Sequence, residues 1–196
     1  VGILSKERPL SYKQIPLPGN EKRTLLVCEF EHYVYACTHL ALEEENRLAS
    51  IPIILEEASR WDGKPFIMAG DWNDQPTTKF MLQLQLNFLL LNDGSAYTFP
   101  ANNPTRCIDY IAVYQDDIKV TDRKVVGESA ASDHRPLYVD VEIEEDEGDL
   151  LRYTFDDVNM TANVRAYSEH TLANAAHYKG SIVVPEEVTT DGHNYC

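Results

Sequence analysis

Six residues in four short strings carry side chains suited to hydrolytic chemistry. His39 lies in Thr38-His39-Leu40, and Asp71 and Asn73 in Gly70-Asp71-Trp72-Asn73. Asp109 lies in Ile108-Asp109-Tyr110-Ile111, and Asp133 and His134 in Ser132-Asp133-His134-Arg135-Pro136-Leu137. Carboxylates, an amide and two histidines converging in one place would suit hydrolysis at phosphorus. A hard cation such as Mg²⁺ takes oxygen ligands and leaves part of its shell to water and substrate phosphate. A histidine paired with an aspartate can move a proton near neutral pH. Each string also has a plainer reading. A single Gly-Asp-x-Asn is ordinarily a turn, because Asp and Asn bond their own backbone. Asp133 could cap a turn, His39 could be a satisfied core histidine, and Asp109 could be an acid at a strand edge. Taken together, the strings favour the chemical reading.

The elements predicted around them place each string at a strand end. Thr24 to Phe30 and Tyr33 to Thr38 read as a hairpin, rich in β-branched and aromatic residues. Leu17-Pro18-Gly19-Asn20 before it reads as a loop. Glu43 to Ser59 has helical spacing, with Leu48, Ile51, Leu55 and Ala58 on one apolar face. Pro52 inside it predicts a kink or a late start, and Glu43-Glu44-Glu45 suits a helix N-terminus. Phe66 to Ala69 reads as a buried strand and Pro76 to about Leu86 as a second helix. Strands are predicted at Leu89–Leu91, Ile108–Tyr114, Ile118–Val126 and Leu137–Ile143, with Phe99 to Thr105 as a loop. Adjacent strand pairs mixed with helices predict an α/β fold with a mixed, largely antiparallel sheet. Strand ends bordering loops are where a rigid scaffold presents reactive groups. Trp61 and Trp72 read as packing residues, with Trp72 alternatively bordering a pocket.

The chain has 196 residues, 32 acidic and 17 basic, for a net charge of −15. Residues 1–141 hold 20 acids and 14 bases, while 142–196 hold 12 and 3, so the charge divides the chain in two. Residues 142–149 include six acids and read as a solvated linker. No apolar run reaches the roughly 18–20 residues that span a bilayer. The acidic balance argues against a general nucleic-acid binder, and stable duplex-DNA binding is not expected. Arg106, Arg123, Lys124 and Arg135 nevertheless flank the strings and could hold phosphate locally. The cysteines form no C-x-x-C pair, so no structural zinc site is expected. A hairpin turning at His32-Tyr33 would set Cys28 opposite Cys37, within reach of a disulfide; two packed thiols is the favoured reading.

The four strings, in this order, resemble the endonuclease/exonuclease/phosphatase superfamily, the deoxyribonuclease-like metal-dependent phosphoesterases. The resemblance covers roughly residues 1–143. It implies a fold that is the second half of a four-layer α/β/β/α sandwich. Asp71 would orient or deprotonate the attacking water, and Asn73 would contact the scissile phosphate or a metal. His134 would stabilise the transition state or activate water, with Asp109 fixing its tautomer. Asp133 would lie at a metal position or brace the pocket, and His39 would stand near the leaving-group oxygen. The implied metal is Mg²⁺ or Mn²⁺, with Asp133, Asp71 and Asn73 as candidate ligands. The implied substrate is a phosphoester, whether small molecule, phospholipid or nucleic acid. Val1 to Lys6 resembles a stretch midway through the family domain, whose first half supplies a strand Asn and a strand-end Glu that ligates metal. The expectation is therefore an incomplete metal site, an exposed sheet face and an inactive, poorly stable fragment, within a parent protein that is active. The contrasting class is a non-catalytic binding or adhesion domain on a degenerate phosphoesterase fold.

Residues 144–149 are assigned to the linker and 150–196 to a small β-rich segment, with short runs at Leu151–Phe155, Thr161–Tyr167 and Ser181–Pro185. Tyr178 to Val188, then Gly192 to Tyr195, is similar to the segment preceding leucine-rich repeats in bacterial surface proteins. That implies an extracellular or cell-surface location and a surface partner.

Overall fold

Runs rich in β-branched and aromatic residues pair as strands, because such side chains pack well on a pleated, half-buried surface. The computed structural model describes residues 1–143 except 62, 116, 117, 128 and 129, together with the strand backbones 151–156, 161–166, 188–190 and 193–195. The chain divides into two compact units, Val1–Glu144 and Glu145–Cys196. The first unit runs β1 (Ser11–Leu17), β2 (Arg23–Glu29), β3 (Val34–His39), α1 (Glu44–Ala58), β4 (Phe66–Asp71) and α2 (Lys79–Leu84). It continues with β5 (Phe88–Leu90), β6 (Asp109–Tyr114), β7 (Lys119–Val125) and β8 (Leu137–Glu142).

Six strands form one sheet in the order β1-β2-β3-β4-β6-β5. The β3–β4 pair is parallel and the rest are antiparallel, so the predicted mixed, largely antiparallel α/β fold is the fold observed. The parallel pair needs a crossover, and α1 supplies it. Strand β1 was not expected: Pro16 and its polar alternation hide it, and edge strands tolerate both. Pro18-Gly19 lies in the turn that follows β1. In the next hairpin Glu29 pairs with Val34, which places Cys28 opposite Tyr35 and Cys37 opposite Leu26. The turn spans Phe30 to Tyr33, whose rings stack at 4.8 Å. The cysteines are therefore not opposite one another, and Cys28 and Cys37 are free thiols, as favoured.

Helix α1 starts at Glu44 and runs through Pro52, with Glu44 and Glu45 in its first turn. Its buried residues are Arg47, Ser50, Ile51, Ile54, Glu57 and Ala58, a face rotated from the predicted one. Leu48 and Leu55 flank that face, partly buried. Helix α2 is shorter than predicted because Thr78, two residues after Pro76, caps it by accepting from Met81 N–H.

Side chains alternate across a strand, so the sheet has two different faces. One face carries Leu25, Val27, Ala36, Phe66, Met68, Tyr110 and Ala112 beneath Ile51 and Ile54 of α1 and Phe80 and Met81 of α2. The other carries Ile67 and Val113 against Leu91, Ile118, Val139 and Val141, that is, beneath the separate β7–β8 hairpin. Register places Tyr12, Cys28, Tyr35, Ile67 and Val113 in one row across that second face. The row passes from exposed at Tyr12 (74%) to fully buried at Val113 (0%). The hairpin thus covers the β4–β6 end and leaves the β1 edge open.

In the second unit β9 (Leu151–Asp156) and β10 (Thr161–Ala166) pair antiparallel, as do β11 (Val188–Thr190) and β12 (His193–Tyr195). The predicted run Ser181–Pro185 lies outside the described residues. Among the described residues, no helix is long and apolar enough to cross a membrane.

Candidate active site

His39, Asp71 and Asp109 end or begin neighbouring strands in exact lateral register. His39 pairs with Asp71 across β3–β4, and Asp71 pairs with Asp109 across β4–β6. Laterally paired residues share a face, and the alternation along β4 and β6 sets this row on the face of Ile67 and Val113. The chain continues to pair just beyond the row, with Leu40 N–H donating to Asp71 O (2.9 Å) and Trp72 N–H to Ile108 O (2.8 Å). Gly70 makes the approach possible. Its φ is +144°, and a β-carbon there would collide with the Thr38 carbonyl on β3.

Asp71 divides its two oxygens between tasks. Oδ1 accepts the Asn73 backbone N–H at 2.8 Å. Oδ2 lies 3.4 Å from His39 Nε2 and 3.7 Å from His134 Nε2. Asn73 sits at φ 53°, a left-handed conformation that Asn tolerates, and its Nδ2 donates to Leu40 O at 2.9 Å. His134 arrives from the loop before β8, with Nδ1 2.8 Å from Asp109 Oδ2. An aspartate on Nδ1 keeps the proton there and leaves Nε2 facing the centre.

The charges reinforce one another. Burial raises the Asp71 carboxyl above its ordinary range, the Asn73 N–H opposes that, and the neighbouring Asp109 charge adds to the rise. Burial alone would lower the proton affinity of His134. The hydrogen bond and charge of Asp109, with the charges of Asp71 and Asp133, outweigh burial and hold the imidazole above its ordinary value. His39 is the open member, with its side chain 48% exposed.

A wall of loops flanks this floor. The Phe99 ring lies 4.7 Å from the His134 ring, and the Arg106 guanidinium lies 4.9 Å from the Phe99 ring on its other contact. Ala101 N–H donates to Asp133 O (2.7 Å), Arg135 N–H to Thr98 O (2.8 Å) and Arg135 Nε to Ala101 O (2.8 Å). Among the four cations flanking the strings, Arg135 is spent on this brace and Arg123 donates to Leu91 O. Arg106 is exposed beside the floor.

The structure therefore gathers five predicted residues, His39, Asp71, Asn73, Asp109 and His134. Asp133 is exposed, and its carboxylate bonds to none of them, although its charge acts on His134. Asp71, Asp109 and His134 offer ligand atoms within 4.8 Å of one another and form a group that could hold a metal ion. The donor set fits a divalent cation: two carboxylate oxygens lie within 4.8 Å of each other there, and the Asp109 charge adds to the rise that burial gives Asp71. This grouping differs from the predicted ligands Asp133, Asp71 and Asn73 in bringing in Asp109 and His134. Trp72 is fully buried against Tyr110, at 5.0 Å between rings, so it packs and does not border a pocket. The sequence reading missed Phe99 as a neighbour of His134, and Arg47 with Asp74, a buried ion pair beneath the floor. The available signal for Arg47 was a cation four and seven positions before Ile51 and Ile54 on the buried side of α1.

A mixed sheet presenting His39, Asp71 and Asp109 at adjoining strand ends, with Asn73 just beyond β4 and His134 brought in from the loop before β8, is an arrangement suited to phosphoester hydrolysis. Residues 1–134 match the endonuclease/exonuclease/phosphatase family, and the chain belongs to that family. It is 27% identical over 144 residues to the uncharacterized protein YbhP of Escherichia coli K12, matching 67% of this chain and 57% of that one. The chain thus spans little more than half the length of that relative. In structure it is similar to a mannosyl-6-phosphatase of Bacteroides thetaiotaomicron, with TM-score 0.62, 17% identity, and 69% and 67% of the two chains covered. It is also similar to D. rerio TDP2 complexed with a single-strand DNA product, with TM-score 0.55, 16% identity, and 67% of each chain covered. The family comprises endonucleases, exonucleases and phosphatases, which are hydrolases of phosphoesters.

Proposed function

We propose that this chain carries the catalytic strand ends of a metal-dependent phosphoester hydrolase. The observation that carries the reading is the placement of Asp71 Oδ2 between His39 Nε2 and His134 Nε2, with Asp109 bonded behind His134. Asp71 Oδ1 is committed to Asn73, so Oδ2 is the oxygen free to take a proton from water. The raised Asp71 carboxyl is a better base than an ordinary one. Water oxygen attacks phosphorus, its proton passes to Asp71, and the bond from phosphorus to the leaving oxygen breaks. His39, the exposed histidine, stands where it can protonate that oxygen. Asp109 favours the protonated form of His134, and in that form Nε2 would donate to a phosphoryl oxygen as charge builds there. Asn73 holds the Asp71 loop against Leu40. The Asp71, Asp109 and His134 group would hold Mg²⁺ or Mn²⁺, and a cation there would supply neutralisation of phosphate charge.

The neighbours include a mannosyl-6-phosphatase and a protein complexed with a single-strand DNA product, so monoester and diester chemistry are separated by assay. The full-length protein is incubated with Mg²⁺ or Mn²⁺ and a panel of sugar phosphates, inositol phosphates, phospholipids, single-stranded oligonucleotides and the two nitrophenyl phosphates. Turnover of one class, abolished by chelation and by Asp71→Asn, is expected; the isolated 196-residue chain is expected to be inactive. Phosphate binding without turnover of any ester would instead support a binding domain. The similarity of the C-terminal segment to regions preceding leucine-rich repeats supports a cell-surface location, tested by surface proteolysis of intact cells.

A further inference from the structure

Arg47 is a cation in the first turn of α1, and it is almost wholly buried. Its Nε and Nη2 both lie 3.0 Å from Asp74 Oδ2. Its Nη1 donates to the carbonyls of Ala41 and Leu42. Asp74 Oδ1 takes the Gln75 N–H at 3.0 Å, so both carboxylate oxygens are engaged. The Asp74 carbonyl lies 2.9 Å from the Tyr110 hydroxyl, which also reaches the Cys107 carbonyl at 2.7 Å. One buried network therefore ties together three chain segments: the one after His39, the one after Asp71 and Asn73, and the one around Asp109.

We propose that Arg47 and Asp74 are positioning residues, which hold the three strand ends in register so that Asp71 Oδ2 stays between the two histidines. The inference rests on the phosphoester reading of the site, and it assigns a role to residues that touch no substrate. A buried ion pair is a poor device for stability alone, because desolvation offsets the attraction and an apolar pair of similar volume often does as well. What this pair supplies is direction. The planar guanidinium donates along several fixed axes at once, toward two carbonyls of one loop and the carboxylate of another. Lysine has the charge but not the fork. The hydrogen bonds nearest the chemistry, Asn73 Nδ2 to Leu40 O and Leu40 N–H to Asp71 O, are the ones this clamp shields from drift.

The test uses the full-length protein with Arg47→Lys and Asp74→Asn, which keep volume and leave the apolar core intact; Arg47→Ala is secondary, since it is expected to unfold more readily. Turnover of the better nitrophenyl phosphate is measured well below each variant's Tm. The clamp predicts kcat lowered about 100-fold, as for a misplacement of about 1 Å, with KM unchanged. It also predicts faster hydrogen exchange at Leu40 N–H and a shifted Asn73 side-chain amide resonance, readouts independent of turnover. Unchanged kcat in both variants, or unchanged exchange and amide resonance, overturns the inference even if Tm falls. Wild-type activity in Asp71→Asn would instead overturn the reading of the site, while an inactive Asp71→Asn beside fully active Arg47→Lys and Asp74→Asn defeats the clamp alone.

Discussion

His39, Asp71 and Asp109 stand on hydrogen-bonded strands in lateral register, above a buried ion pair and the ring of Trp72. His134, Phe99 and Arg106 stand on loops held by a few bonds between Thr98–Ala101 and Asp133–Arg135. The floor shares its supports with the hydrophobic core, so it cannot be moved without cost to folding. The wall shares few of them, so it can change with little effect on stability. The contrast suggests a division of labour in which the core-supported row, with His134 tied to it through Asp109, sets the chemistry and the rest of the wall sets what is bound.

The largest predicted effect lies where floor and wall meet. Asp109→Asn should lower kcat by about 10²–10⁴-fold, the usual worth of a positioned acid–base group. It also removes the main influence raising His134, leaving burial to lower it. An NMR titration of the metal-free protein should show the His134 midpoint above 6.5 in the wild type and clearly lower in the variant. The folded value is the raised one. The stability that pairing contributes is therefore present below about pH 6.5 and lost as pH rises through the folded value. A midpoint unmoved by Asp109→Asn would break the link between the two regions.

The next prediction tests the floor alone. Gly70→Ala forces a β-carbon onto the Thr38 carbonyl at a backbone angle suited to glycine, and should cost about 2–4 kcal/mol of stability. Chemical denaturation of wild type and variant checks it. A loss below about 0.5 kcal/mol would show that the strand ends are not tightly apposed.

The smallest effect belongs to the wall. Arg106→Ala should raise KM about tenfold, equivalent to about 1.4 kcal/mol of binding, while Tm and kcat stay near wild type. A fall in kcat with unchanged KM would move Arg106 from binding into the chemistry and blur the division.

Much of the floor was legible in the sequence because its residues sit in short strings beside strongly apolar runs, such as Phe66–Ala69 before Asp71. Strand ends are set locally, by where such a run stops. The lateral register of three strands is not local. The hairpin illustrates this: a turn over Phe30–Tyr33 moves Cys37 from Cys28 to Leu26, and no residue count fixes that beforehand. Strand β1 was hidden for a different reason, since an edge strand accepts the proline and polar residues that argue against a central one. Arg47 and Asp74 were illegible because burial of a cation depends on a carboxylate 27 residues away. Phe99 and His134 meet only through the folding of two loops, so the wall was the least readable part of the site.

The central claim is that the free oxygen of Asp71 takes the proton from the attacking water. Its most direct test is hydrolysis of a nitrophenyl phosphate by the full-length protein, wild type against Asp71→Asn, with matched folding checked by circular dichroism. The account predicts a fall in kcat of about 10²–10⁴-fold in a variant that remains folded. Equal turnover by the two folded proteins would contradict it.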